Sequence, residues 1–269
     1  MSDDYIKLVE PEITGGKISI GRIDTLSDIE GDRLRISGLR QGTLEHLVNK
    51  FGYRFKRIEF WKCGNVEDLQ PLEDLRITED LFWFLNKKST SLWDLSKNNK
   101  LTSLHLKSFN KIKEINEFAR SDTLKRIIIE DGMWGKGEVE SLSPLSIMPA
   151  LEILEISSNV QDKKLEPITK IKTLKEFYYP ANRFSTEHYA WLAARLGDRV
   201  ISNVTQPTRH IDNSSITNSK GDVLDTLITG KRKPFLNSNK HKVRLDKYTA
   251  EWVRLVDCYA ENPNLGEPV

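Results

Sequence analysis

The chain has 269 residues, 38% hydrophobic and 30% charged, enough for one elongated domain or two ordinary ones with a packed core. Its 41 basic and 39 acidic residues leave a formal charge of +2, so no global field argues for nucleic acid or a membrane surface. Two cysteines, Cys63 and Cys258, are too few for a disulfide framework or a Cys-x-x-Cys zinc site, and both are expected to be reduced thiols.

The first five residues are acidic and lack the apolar stretch of a signal peptide, and no run approaches the roughly 18–20 apolar residues of a membrane span. The expectation is a cytoplasmic protein of bacterial type. Residues 1–30 alternate at Ile18, Ile20 and Ile23 between Gly15-Gly16 and Gly31, which predicts one or two short strands and an N-terminal cap. Leu34 and Ile36 mark an irregular first repeat strand. Leu44, Leu47, Val48 and Phe51 then share one helix face, closed by Gly52.

From Phe55 onward one pattern returns. It reads Leu101-Thr102-Ser103-Leu104-His105-Leu106, with equivalents starting at Phe55, Thr78, Leu124, Leu151 and Leu174. The steps are 23, 23, 23, 27 and 23 residues. The second halves keep the same frame through Val66, Leu69, Leu72 and Leu75, and again through Ile112, Ile115 and Phe118 until Ser121 breaks the run. In the longer repeat, four extra residues within 132–137 restore the register at Val139, Leu142, Leu145 and Met148; the next repeat supplies Leu165, Ile168 and Ile171. The repeat from Thr78 keeps only Leu92 and Leu95, so its polar 87–91 segment predicts a looser loop.

A period in the twenties with an L-x-x-L-x-L start marks a leucine-rich repeat. Val66-Glu67-Asp68-Leu69-Gln70-Pro71-Leu72 and Leu142-Ser143-Pro144-Leu145 resemble the outer half of internalin-like leucine-rich repeats, and the resemblance covers residues 31–197. It implies an α/β solenoid with a curved parallel sheet on the concave face and short helices and 3-10 turns on the convex face. The array would occupy residues 31–200. The turn asparagine of such repeats is kept at Asn86, Asn159 and Asn182 and replaced by Cys63, while Phe109 and Gly132 depart from it, which implies irregular geometry mid-array.

Ser185 opens a helix with His188, Trp191, Leu192 and Leu196 on one face, and Gly197 ends it. Residues 201–269 form a C-terminal extension, rich in Asn, Ser, Thr and Lys up to 245. It is expected to be loosely ordered apart from a capping helix near 248–259 that buries Trp252, Val253, Leu255 and Val256.

No catalytic, cofactor or metal motif stands out. The five histidines are scattered, and 132–137 lacks the strand, loop and Lys-Ser/Thr of a phosphate loop. The chain is therefore expected to be no enzyme and to need no cofactor. Strand residues between the buried leucines point out of the sheet. One outward column is Arg35, Glu59, Phe82, His105, Ile128, Glu155 and Tyr178, and the next contains Trp61, Phe84, Lys107 and Glu130. Trp61, Phe82, Phe84, His105 and Ile128 are expected to form one exposed patch, a protein-binding surface to which Tyr178 on the same column also belongs. Two alternatives remain at this point: Phe82-Trp83-Phe84-Leu85 shifts register by one, or the tail covers the sheet. Seven strands offer only about 300 Å² of flat sheet, against roughly 800 Å² per partner in a specific interface. Loop edges must contribute, and Trp134 in the inserted loop is the best candidate. The expected partner is a protein that this chain binds, inhibits or neutralises as an immunity-type factor. The alternative is a nucleic-acid or ribonucleoprotein accessory role through the basic segment 231–247, led by Lys231, Arg232 and Lys233.

Overall fold

The computed structural model describes residues 5–9, 16–132 and 137–269. They fall into two compact units, Met1–Asp162 with Ile171–Thr173, and Lys163–Lys170 with Leu174–Val269.

The first unit is built on parallel strands. They are β1 (Ile6–Leu8), β2 (Arg33–Ser37), β3 (Arg57–Trp61), β4 (Asp80–Asn86), β5 (Ser103–Phe109), β6 (Arg126–Glu130) and β8 (Ile153–Ile156), while the two-residue β7 (Glu138–Val139) and β9 (Asn159–Val160) pair with each other. Each of the former pairs in parallel with the next, and the register equals the repeat step: Ile58, Leu81, Leu104, Ile127 and Leu154 lie in one cross-strand row. Phe60, Trp83, Leu106, Ile129 and Ile156 form a second. Both rows are buried. Between strands the chain turns through 3-10 segments at Gln70–Asp74, Leu95–Lys97, Asn116–Arg120 and Ser143–Ile147. Their apolar residues Leu72, Leu95, Phe118 and Leu145 close the core from the opposite side. This is a leucine-rich repeat fold.

Repetition extends to the backbone. Before each strand one amide donates to the preceding repeat: Glu79 to Lys56, Thr102 to Glu79, Lys125 to Thr102 and Glu152 to Lys125, at 2.7–2.9 Å. Polar residues at core positions are satisfied the same way. Thr78, 1% exposed, donates its hydroxyl to the Phe55 carbonyl at 2.8 Å. The Ser121 hydroxyl, where the apolar run stops, accepts from the Leu124 amide at 3.2 Å. The 87–91 loop is not loose. Asn86 Oδ1 accepts from the amides of Lys88 and Ser89, its Nδ2 donates to the Val66 carbonyl, and Leu92 and Trp93 are buried beneath.

One column departs from ordinary backbone. Gly38 and Lys62 just after their strands, and Leu85 and Ser108 next to last in theirs, recur one repeat apart with φ of 71, 54, 68 and 63°. Only the first is glycine, so three L-residues sit in a conformation that costs each about 1–2 kcal/mol. The ladder of neighbouring repeats holds them there. Beside them, the departures from the turn asparagine have local causes. Phe109 packs edge-on against Trp83, with centroids 5.9 Å apart. At Gly132 a Cβ would stand 2.3 Å from Ser108 Oγ, so no side chain fits. Cys63 is buried, and loss of solvation pushes its thiol up to about 12. Cys258 is exposed. Thiol titration is therefore expected to count one accessible group, Cys258, in the native protein and two in denaturant; zero would mean a disulfide.

The N-terminal segment differs from its expected strands. Ile18, Ile20 and Ile23 do not form a strand: α1 (Ile20–Asp24) is a short helix whose N-terminus is capped by Ser19 Oγ, accepting from the Arg22 amide at 3.2 Å. Of its two isoleucines only Ile23 is buried, and Ile20 is 48% exposed. α2 (Gln41–Phe51) follows β2 and buries Leu44, Leu47, Val48 and Phe51, the face its spacing predicts.

In the second unit α3 (Glu166–Lys170) precedes β10 (Glu176–Tyr178), which pairs in parallel with β11 (Ile201–Ser202). Between them runs α4 (Thr186–Leu196), whose N-cap Ser185 accepts from the His188 amide. Residues 201–245 carry more structure than their composition suggests. β12 (Thr208–His210), β13 (Thr226–Ile228) and β14 (Phe235–Leu236) form an antiparallel sheet, pinned by Asp225 accepting from the amide and hydroxyl of Ser238 at 2.7 Å. α5 (Lys242–Glu261) packs on α4 through Trp252 and Tyr259. Arg195 donates to the carbonyls of Tyr259 and Leu265 at 2.8 and 2.7 Å. The Glu267 carboxylate accepts from the Leu165 and Glu166 amides. The chain end is thereby fastened to this unit.

Candidate functional site

The site lies on the sheet face away from the 3-10 turns. Because Leu81 and Trp83 are buried at 1% and 0%, strand alternation leaves Phe82 and Phe84 on the opposite face, so the run keeps its register. Register then sets Phe82 beside Glu59 and His105, and Trp61 beside Phe84. The rings meet. Trp61 lies 5.0 Å from Phe84 and 6.0 Å from Phe82, and Phe82 lies 4.6 Å from His105, all tilted. Trp61 is 38% exposed, and the two phenylalanines are half-buried.

One expected member is not exposed. Ile128, between His105 and Glu155 in its row, is 6% exposed. Longer neighbours screen it, and it forms the floor of the patch. Tyr178 belongs to the second unit, where its hydroxyl donates to Glu176 at 3.0 Å. Trp134 lies outside the described residues.

Charges frame the rings, and most are paired across neighbouring strands. Arg35 pairs with Glu59, and Arg57 with Asp80 at 2.9 Å. Lys107 reaches Glu130 at 2.7 Å, and His105 Nε2 stands 3.4 Å from the same oxygen. Spacing alone would not have found Tyr5, which lies under the Arg35 guanidinium at 5.1 Å and closes one end. Around Trp61, Phe82 and His105 lies a shallow depression of about 400 Å³ whose wall includes Tyr5, Asp80, Ser103 and Arg126. Burial raises the Tyr5 hydroxyl, helped by Glu59. Burial also lowers His105 against the pull of Glu130. Glu130 would be raised by its own burial, but Lys107 and His105 hold it below the usual carboxylate range.

These shifts have a sign that can be measured. His105 and, in the second unit, His188 are both lowered by burial from an ordinary 6.5. The folded state thus binds fewer protons than the unfolded one. Their contribution is present above pH 6.5 and is lost as pH falls through the lowered folded values. Denaturant midpoints are expected to drop between about pH 7 and pH 5, and a His105→Gln/His188→Gln variant should flatten that slope.

The arrangement offers aromatic area among neutralised charges. Among the described residues no cluster of three His, Cys, Asp or Glu is placed to hold a metal ion, and no helix is long and apolar enough to cross a membrane.

No family model and no curated protein matches the chain. Among solved structures it is similar to an internalin (inlF) from Listeria monocytogenes, at 17% identity and a TM-score of 0.46, covering 69% of this chain and 50% of that one. An internalin C2 (inlC2) of the same species matches at 16% identity and a TM-score of 0.36, over 69% of this chain and 84% of the other. The chain spans half the length of the first of these.

Proposed function

We propose that this is a non-catalytic protein-binding module whose protein ligand docks on the open sheet face around Trp61, Phe82 and Phe84. The observation that carries the reading is the contiguous cluster of partly exposed rings on the parallel sheet. Buried-core positions cannot explain it, because the core rows are complete without them. Clustered Trp and Phe are typical of interface hot spots. An inhibitory or immunity-type role is the specific version of this reading, and a cytoplasmic setting suits two unpaired thiols. The basic segment is a weaker site. Lys233 stacks over Tyr248 at 4.9 Å and Lys240 pairs with Asp222, so part of its charge is already engaged.

Affinity capture with the intact protein tests the reading. A partner should be recovered by the wild type and by a Lys231→Ala/Arg232→Ala/Lys233→Ala variant, and lost with Trp61→Ala/Phe82→Ala. Loss with the basic triple and retention with the aromatic pair would move the function to the tail, and binding would then fall steeply with salt.

A further inference from the structure

Four basic side chains line the depression, and three face a carboxylate already: Arg35 has Glu59, Arg57 has Asp80 and His105 has Glu130. Arg126 forms no ion pair among the described residues and is exposed. Its isolation follows from register. Its cross-strand neighbours are Ser103 and Ile153, and the next acid along that row, Asp80, is taken by Arg57. Glu155 sits across from Ile128, one row over, and makes no ion pair among the described residues either. The row therefore holds a planar five-donor fork beside a half-buried hydroxyl, with no described acceptor for them.

We infer that the ligand is a protein segment carrying an Asp or Glu carboxylate close to an aromatic or large aliphatic residue. The carboxylate docks on Arg126 and Ser103 while the apolar side chain packs on Phe82 and Trp61. This rests on the protein-binding reading above. A singly charged carboxylate fits better than a phosphate because Asp80 in the same row and Glu155 one row over would repel a second negative charge. Spacing adds a constraint. Phe82 and Arg126 are two strands apart and offset by two residues along the strand, about 12 Å at 4.8 Å per strand and 3.3 Å per residue. In an extended segment rising about 3.3 Å per residue, same-face side chains at that distance are two to four residues apart.

Random-peptide display on the intact protein tests this without a known partner. Wild type should select peptides pairing an acidic residue with an aromatic or leucine two to four residues away. Binding of a selected peptide should weaken at least tenfold on Arg126→Ala, and by a similar factor when its acid is changed to the amide. The two changes together should cost little more than either alone. Peptides lost on Trp61→Ala but unaffected by Arg126→Ala overturn the carboxylate inference and leave the binding face standing. Peptides indifferent to Trp61→Ala and Phe82→Ala overturn both, as does a selection that yields no binder. Circular dichroism of each variant separates loss of binding from loss of fold.

Discussion

Leu104→Ala is expected to lower the unfolding free energy by about 2–5 kcal/mol, and Leu154→Ala by a similar amount. Both leucines are 0% exposed and occupy the same row, between Leu81, Ile127 and their equivalents. Alanine there loses the transfer energy of the missing carbons and leaves a cavity. The cavity cannot collapse easily. Its walls are strands fixed by register pairs on both sides, and in a solenoid each repeat touches only its neighbours, so no distant side chain can move in. Denaturant titration followed by circular dichroism measures the loss, and an unchanged m-value keeps the comparison valid. Lys125→Ala, on an exposed backbone rung outside the core, should stay within about 0.5 kcal/mol. Losses that small at both leucines would mean that these rows do not form the core.

The strands and their register were legible because parallel repeats write the same residue types at one spacing, so Leu81, Leu104 and Ile127 predict one another. What the pattern could not supply was the polar closure of the turns. Thr78, Ser89 and Ser121 look like interruptions in an apolar list, yet each sits buried because a particular amide or carbonyl faces it. The α1 segment misled for a different reason. Alternation at Ile18 and Ile20 imitates a strand, and the Ser19 cap outweighs it. The three-stranded sheet of the second unit escaped because its strands are two or three residues long and pair at separations the composition does not encode. On the site, period-two alternation placed Trp61, Phe82 and Phe84 on one face. The burial of Ile128 and the isolation of Arg126 depend on how long the neighbouring side chains are and which acids are already paired.

Trp61→Ala and Phe82→Ala are each expected to weaken binding of the captured partner by at least about 2 kcal/mol, roughly 30-fold in Kd. The reasoning compares what each group on the face can contribute. The surrounding Arg57–Asp80 and Lys107–Glu130 pairs are partly exposed, with Lys107 at 42% and Arg57 at 43%. Such pairs contribute little, about 0–1 kcal/mol. The rings carry the large apolar area, and their mutual contacts hold them in place before the partner arrives, so less side-chain freedom is lost on binding. Trp61 touches both phenylalanines, so removing it also loosens Phe82, and the double variant should lose less than the sum of the singles. Trp61 is 38% exposed and outside the core rows, so its alanine variant should keep the wild-type unfolding midpoint within a few degrees, about 1 kcal/mol or less. Calorimetric titration with the partner reads the affinity, and thermal unfolding reads the fold. A stable Trp61→Ala protein that binds with wild-type affinity would place the interface elsewhere on the molecule.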